Sequence, residues 1–201
     1  MKNALRLLLG LAMLIPLSPI VAEEKTTETP RLATLMSTYG YVEFQRLTVP
    51  GGTQLQMSVS HDFNETLGFF AYGEVHRNWG QIYAGPTFSP ASWLKVGTGI
   101  GLEDIDVSTP LRYGGFLWAG NEKDSLLAVA NFGQSGYWWR VDTNHRFSAW
   151  FGAGLLAQRD AGIGPRLQLT LPKKPITLWI APTYFWDTGK PRFVCGLRFQ
   201  F

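Results

Sequence analysis

The sequence of 201 residues has a single cysteine, Cys195, and little charge: Asp, Glu, Lys and Arg together make up 16% of the chain. One thiol excludes a disulfide framework within the chain and any cysteine-based metal site. The 18 basic and 15 acidic residues nearly balance, so the charge gives no indication of a nucleic-acid partner. We therefore predict no nucleic-acid binding, no metal site and no cofactor.

Long apolar runs are also missing after residue 22. The first 22 residues place two basic side chains before an apolar run over 7–17 and end on Ala22, which is the order of a secretory signal. The run is shorter than the roughly 20 residues of a transmembrane helix, so a membrane anchor is the weaker interpretation. We predict that residues 1–22 are removed on export and that the polar residues 23–36 form a flexible periplasmic lead-in.

The rest of the chain has apolar residues at every second position. In the last segment, the odd-numbered residues from Phe193 to Phe201 are all apolar, whereas the even-numbered ones include Arg192, Arg198 and Gln200. Successive side chains of a strand point to opposite faces, so this segment has one apolar and one polar face. The alternation predicts an all-β protein.

Alternating segments of this kind recur along the chain between clusters of Gly, Pro, Asn and Asp. They lie near residues 38–47, 53–63, 66–77, 80–88, 92–102, 110–120, 125–133, 136–142, 146–158, 162–171, 176–186 and 192–201. The number is even, as an antiparallel barrel with both termini on one side requires. Because 80–88 and 136–142 are the weakest segments, ten or fourteen strands are also possible.

Two classes of protein share this alternation: a transmembrane barrel, and a soluble β-sandwich or lipocalin-like barrel that turns its polar face to water. The polar face here is poor in charge and rich in glycine, and tryptophans stand near the segment ends, where membrane-interface girdles lie. These are Trp79, Trp93, Trp118, Trp138, Trp139 and Trp186. The combination favours a transmembrane barrel with a roomy, glycine-rich inner face.

The closing run FVCGLRFQF, which ends on Phe201, resembles the carboxy-terminal strand signal of bacterial outer-membrane β-barrel proteins. The resemblance implies an antiparallel transmembrane β-barrel over residues 37–201, placed in a Gram-negative outer membrane and surrounded by its lipid. It also implies recognition by the barrel-insertion machinery through Phe199 and Phe201.

The charges expected on the inner face are few. They are Glu43, Asp62, Glu74, Lys95, Arg112, Arg140, Arg166 and Arg198. Such charges either pair with one another and help to plug the lumen, or line a water-filled pore, and the sequence leaves both open. The slight excess of basic groups predicts a preference for anions if there is a pore.

The connections between the segments are short, which argues against a receptor or adhesin, because these proteins need long loops as a recognition surface. The longest, residues 103–109, carries Glu103, Asp104 and Asp106. It lacks the central glycine and the later glutamate of a calcium-binding EF-hand loop. We therefore interpret it as an ordinary solvated loop.

A lipid-modifying enzyme would need a serine activated by a neighbouring histidine, itself oriented by a third group. His76 shares the inner face with Glu74, and Ser58 and Ser60 face inward on the neighbouring segment. They match neither the His-x-Ser pattern of the lipid A deacylase family nor the pattern of the outer-membrane phospholipases, so a hydrogen-bond network in the lumen is the preferred interpretation of these four residues.

The sequence thus predicts a small passive channel for small solutes, with a slight preference for anions, because about twelve strands leave more room inside than eight would. Two alternatives remain open. One is an outer-membrane lipid-modifying enzyme that uses His76 with Glu74. The other is a structural barrel that binds a periplasmic partner through residues 23–36.

Overall fold

The computed structural model describes residues 37–47, 52–104 and 110–201, which form a closed barrel of twelve antiparallel strands. Residues 1–22 and 23–36, predicted as export signal and lead-in, lie outside the described residues. Within the described ranges, no helix is long and apolar enough to cross a membrane. The predicted fold class and the strand number of twelve are confirmed.

Each strand pairs with the next along the chain, and the first strand pairs with the twelfth to close the barrel. The strands are β1 Ser37–Leu47, β2 Thr53–Asp62, β3 Leu67–Val75, β4 Gly80–Ala91, β5 Leu94–Asp104, β6 Leu111–Gly120, β7 Asp124–Gly133, β8 Gly136–Arg146, β9 Phe151–Gln158, β10 Gly162–Thr170, β11 Ile176–Phe185 and β12 Lys190–Gln200. The two segments with the weakest alternation are β4 and β8, which are full-length strands of 12 and 11 residues.

The alternation of the sequence separates the outside of the barrel from the lumen. In β11, Thr177, Trp179 and Ala181 are buried, whereas Leu178 and Ile180 between them are exposed. The same pattern leaves large apolar side chains on the outer wall of other strands. They include Phe44, Phe69, Ile100, Leu117, Leu155 and Leu167. An exposed apolar face around a closed sheet is the arrangement that lipid stabilises and water does not.

Both ends of the described barrel chain lie at the same end of the barrel, which we call the terminal end. There Phe201 and Gly40 exchange backbone hydrogen bonds of 2.9 and 3.1 Å. The connections 63–66, 92–93, 121–123, 147–150 and 171–175 also lie at this end. We call the opposite end, with the connections 76–79, 134–135, 159–161 and 186–189, the loop end. The two names define the terminal half and the loop half of the lumen.

The seam between β10 and β11 lacks hydrogen bonds at mid-strand. The N–H of Leu171 donates to the carbonyl of Ile176 at the hairpin, and bonded pairs recur at every second position from there. Following the register of the two strands, Pro165 and Pro182 face each other at one of these bonded positions. Proline has no N–H to donate, so two cross-strand bonds are missing at the same level of the wall.

The predicted tryptophan girdle is only partly right. Trp93 and Trp186 are exposed in connections at opposite ends of the barrel, and Trp139 stacks on Trp186 with ring centroids 5.5 Å apart. Trp138 is buried, because its position in β8 has the same parity as the inward-facing Arg140. Inward tryptophans therefore fill the lumen instead of marking a membrane interface. Trp118 lines the lumen cavity, and Trp79 packs under Arg112.

Candidate functional site: the barrel lumen

The lumen is open in the terminal half and filled in the loop half. A cavity of about 820 Å³ is lined by both polar and apolar side chains, and its rim is formed in part by the connections of the terminal end. Its floor lies near the middle of the barrel, where Tyr41, Tyr72, Asp142, Arg166 and Arg198 line it. The structure places all eight of the predicted lumen charges inside the barrel.

Five charged residues form a continuous chain of ion pairs near mid-barrel. In order, Arg198 pairs with Glu43 (2.7 Å), Glu43 with Arg140 (2.9 Å), Arg140 with Asp142 (2.6 Å), and Asp142 with Arg166 (2.8 Å). We call these five residues the mid-barrel cluster. Positive and negative groups alternate and both ends are arginines, so the cluster has three positive and two negative groups.

The indole of Trp179 supports the mid-barrel cluster. Its Nε1 donates a hydrogen bond of 3.0 Å to Glu43, and the guanidinium groups of Arg166 and Arg140 lie 4.5 and 5.3 Å from the ring centroid. A cation above an aromatic face is attracted by the ring quadrupole. Gly196 on the neighbouring strand makes room for this ring, since a Cβ at Gly196 would overlap it.

Glutamine side chains fill the loop half. Gln54 donates to Gln45 (3.0 Å), Gln45 donates to Gln158 (3.3 Å), and Gln158 donates to Asp160 (2.8 Å). Gln45 belongs to β1 and Gln158 to β9, which are not neighbours in the barrel, so their hydrogen bond crosses the lumen. Arg140 on β8 also crosses it to reach Gln45 and Glu43. These contacts close the lumen on the loop side of the mid-barrel cluster.

Glu103 is part of the loop half, which corrects the interpretation of this residue as part of a solvated loop. Its carboxylate is buried and accepts a hydrogen bond of 2.6 Å from Arg112. It also accepts hydrogen bonds from the backbone N–H and the hydroxyl of Ser135. Glu103 is the inward residue at the end of β5, whereas residues 105–109 lie outside the described ranges. The Nε and Nη2 of Arg112 both donate hydrogen bonds to the side-chain oxygen of Asn131.

His76 and Glu74 form a pair at the rim of the loop half, with Nε2 of His76 2.7 Å from the Glu74 carboxylate. Tyr72 and Gln81 also donate to this carboxylate. Burial lowers the pKa of His76, but the hydrogen bond from His76 to Glu74 and the negative charges of Glu74 and Asp160 outweigh burial and raise the pKa.

The structure does not bring Ser58 or Ser60 to His76. In the β2–β3 register, Gln56 lies opposite Glu74, Ser58 opposite Tyr72, and Ser60 opposite Phe70. The serines therefore lie on the terminal side of Glu74, while His76 lies on its loop side. At about 3.3 Å per strand residue, Ser58 and His76 are too far apart along the barrel for the hydroxyl and the imidazole to share a proton.

Lys95 and Asp62 form a separate pair in the terminal half. The Lys95 ammonium lies 2.6 and 2.8 Å from the two Asp62 oxygens, and it also donates to the hydroxyl of Tyr39. A lysine has three donor hydrogens, so these bonds saturate Lys95. This pair lines the cavity but makes no contact with the mid-barrel cluster.

Glycines on the inner face do not widen the lumen as the sequence suggested. A Cβ at Gly97 would overlap the ring of Phe116, and a Cβ at Gly114 would overlap the ring of Tyr83. Aromatic side chains of neighbouring strands thus lie flat on the wall where glycine leaves space. Phe70, Tyr72 and Tyr83 pack together in this way and are almost fully buried.

Sequence reasoning missed two carboxylates of the lumen, Asp142 and Glu103. Asp142 lies two residues after Arg140 on the same strand, so the parity of β8 was the available signal. With these acids included, the predicted excess of basic groups over the whole lumen disappears. It persists locally in the mid-barrel cluster.

No protein-family model matches the sequence, and no curated protein matches it either. The fold is similar to solved porins. A KdgM porin has a TM-score of 0.52 at 14% identity, with 80% of this chain and 99% of that chain covered. A KdgM porin in complex with disordered oligogalacturonate has a TM-score of 0.53 at 14% identity, with coverage of 81% and 99%.

A third chain, from work on the in-meso crystallization of membrane proteins, has a TM-score of 0.57 at 13% identity, with 81% of this chain and 83% of that chain covered. At such low identity these likenesses establish the fold. They confirm the resemblance to outer-membrane β-barrel proteins that the closing strand indicated.

Proposed function

We propose that this chain forms a channel for small solutes in a bacterial outer membrane, with a preference for anions that is set at mid-barrel. The observation that carries the proposal is the combination of a closed barrel, an apolar outer wall and a polar lumen with a cavity of about 820 Å³. Solved barrels of similar fold include porins. One of them is described with oligogalacturonate, an anionic solute.

The anion preference follows from where the positive charge is concentrated. The net charge of the cavity rim and that of the mid-barrel cluster differ in sign. At the rim, three basic residues face four acidic ones, which are Asp62, Glu65, Glu122 and Asp124. In the cluster, arginines outnumber acids. A narrow, low-dielectric region weighs most in ion selectivity, because a charge there is least screened by water. We therefore expect the cluster, and not the rim, to decide which ions pass.

Conduction requires movement in the loop half. The Gln45–Gln158 hydrogen bond and the bonds from Arg140 to β1 cross the lumen, so a solute passes only when these side chains move apart. The mobile parts are long side chains on a rigid wall, and each hydrogen bond between neutral amides contributes only about 1 kcal/mol net. We expect brief openings that admit small solutes and exclude large ones.

The test is planar-bilayer recording of the purified, refolded barrel across a salt gradient. We expect discrete conductance steps and a reversal potential whose sign shows that chloride passes more readily than potassium. Arg198→Gln leaves two arginines and two acids in the cluster and should move the reversal potential toward zero. Arg46 is the matched control, because it is exposed on the outer face of β1; Arg46→Gln should leave the reversal potential unchanged.

Purified protein that inserts into the bilayer without conductance steps would disprove the channel. Steps with a cation-selective reversal potential would leave a channel but disprove the anion preference. The lipid-modifying alternative has no observation in its favour, since the register separates His76 from both candidate serines.

We also propose three partners. Outer-membrane lipid would cover the apolar wall, and the barrel-insertion machinery would bind the closing strand, where Phe199 and Phe201 are both exposed. A periplasmic protein would bind residues 23–36.

Deletion of Phe201 should slow assembly into membranes, whereas deletion of residues 23–36 should leave assembly intact and abolish capture of a periplasmic protein. Assembly at an unchanged rate without Phe201 would contradict the second proposal.

A further inference from the structure

We propose that Arg166 holds a single carboxylate group at the floor of the lumen cavity. The Nη1 of Arg166 donates to Asp142 at 2.8 Å. Its Nε and Nη2 are buried and have no hydrogen-bond partner among the described residues. These two nitrogens form one edge of the guanidinium, with parallel N–H groups spaced like the two oxygens of a carboxylate. Arg166 thus pairs with the protein on one side and has a free two-point donor on the other.

Leaving these donors unpaired is costly. A buried polar group without a partner loses its hydrogen bonds to water and gains none in return. Arg166 is 3% exposed, so bulk water does not satisfy it. Arg112, equally buried, shows the contrast within the same lumen: Glu103, Ser135 and Asn131 accept bonds from all three of its nitrogens.

The charge of the mid-barrel cluster agrees with a bound monoanion. Three arginines face two carboxylates in the ion-pair chain, which leaves one uncompensated positive charge among largely buried side chains. An additional negative group would neutralise the cluster and satisfy the free edge of Arg166 at the same time. The missing group is an acceptor with one negative charge and two oxygens, and a carboxylate has both.

The site is reached from the terminal half. Arg166 and Arg198 both line the cavity of about 820 Å³, and Gln168 and Thr177 stand beside them. The cavity is large enough for a small organic acid. Lys95 does not compete for such a ligand, because Asp62 and Tyr39 occupy its donors. The inferred ligand is therefore the carboxylate of a small solute that enters from the terminal end. Because Nε and Nη2 of Arg166 are buried without a ligand, the guanidinium must turn this edge toward the cavity for the carboxylate to bind side-on.

Binding of ¹³C-labelled acetate to the refolded full barrel, measured by nuclear magnetic resonance line broadening, tests this site without requiring conduction. We expect saturable binding that unlabelled acetate displaces and acetamide, its neutral analogue of the same shape, does not. Arg166→Gln should weaken acetate binding about tenfold or more, since it removes a charge-assisted two-point contact. Arg166→Lys keeps the charge but not the paired donors, and should weaken binding by a similar factor.

Arg46→Gln on the outer wall is the matched control and should bind acetate as the parent does. Circular dichroism and the heat-dependent gel shift of a folded barrel identify any variant that fails to fold, and Arg166→Lys then provides the comparison. The proposal is overturned if the parent shows no saturable binding, if acetamide displaces acetate, or if Arg166→Lys binds with full affinity. Tighter binding of inorganic phosphate than of acetate would overturn the assignment to a carboxylate. The channel proposal survives any of these results, because it depends on conductance.

Discussion

The two halves of the lumen have the same strand alternation but opposite contents. In the loop half, the inward side chains are long, and Gln45, Gln54, Leu156 and Gln158 are at most 1% exposed. In the terminal half, inward positions carry small residues such as Ser58, Ser60 and Ser125, which line the cavity. A binary pattern of apolar and polar residues thus decides which face points inward, but the volume of the inward side chains decides whether a lumen exists.

The mid-barrel cluster is the boundary between the halves of the lumen. Substitution of one of its members should have the largest effect on the free energy of unfolding. Glu43 accepts hydrogen bonds from Arg140, Arg198 and Trp179. Removing one member of a buried ion network leaves uncompensated charges, at a cost of about 3–5 kcal/mol. We expect Glu43→Gln to lower the free energy of unfolding by about this amount, measured by urea titration of the barrel in lipid vesicles.

Asp124→Asn is the control for that measurement. Asp124 also makes an ion pair, with His145 at 2.7 Å, but both side chains are largely exposed at the terminal end. Exposed pairs contribute little because water screens them, so the unfolding curve should hardly move. Equal losses in the two variants would show that burial does not distinguish the cluster from an ordinary surface pair.

The next largest effect concerns the ring that supports the cluster. Gly196→Ala would place a methyl group against the indole of Trp179, which must then shift and loosen its bond to Glu43. Overpacking of this kind costs about 1–3 kcal/mol. Gly52 is the matched control, since a Cβ there has open space. We expect a lower urea midpoint for Gly196→Ala only; equal midpoints for the two glycine variants would mean that the ring is free to move.

A third prediction concerns the glutamines that fill the loop half of the lumen. The double variant Gln45→Ala with Gln158→Ala removes the side chains that meet across the lumen, and single-channel conductance should rise several-fold. Leu127→Ala shortens a side chain that already lines the open cavity, so its conductance should match that of the parent. An unchanged conductance in the double variant would show that the glutamines are not the barrier.

Much of the fold could be predicted from the sequence, because a period of two is set by backbone geometry and repeats in every strand. β4 and β8 were the weakest segments for an equally physical reason. β8 carries the apolar Trp138 on the same inward face as Arg140 and Asp142, and this exception blurs the contrast between a polar and an apolar face by which a strand is recognised. Arg140 and Asp142 are polar because they join the ion network inside the barrel.

The side-chain contacts inside the lumen were harder to predict from the sequence, since they depend on which residues meet across the barrel. Arg140 on β8 and Glu43 on β1 are 97 positions apart in the chain. The sequence around either residue does not indicate that the two form an ion pair. Register also decided against a Ser58–His76 pair, because the two residues lie on neighbouring strands but at different levels. Strand pairing was predictable, whereas contacts across the lumen required the closed barrel.

The smallest effect should appear at the rim of the loop half, where His76 meets Glu74. The folded state raises the pKa of His76, so its charged form stabilises the fold below the unfolded pKa of about 6.5. That contribution is lost as the pH rises through the folded-state pKa. The difference in unfolding free energy between the parent and His76→Gln should therefore be larger near about pH 5.5 than near about pH 8.5, by on the order of 1 kcal/mol or less. Because every other titrating group is common to both proteins, the difference isolates His76. A difference that grows with pH would mean that burial, and not Glu74, dominates the titration of this histidine.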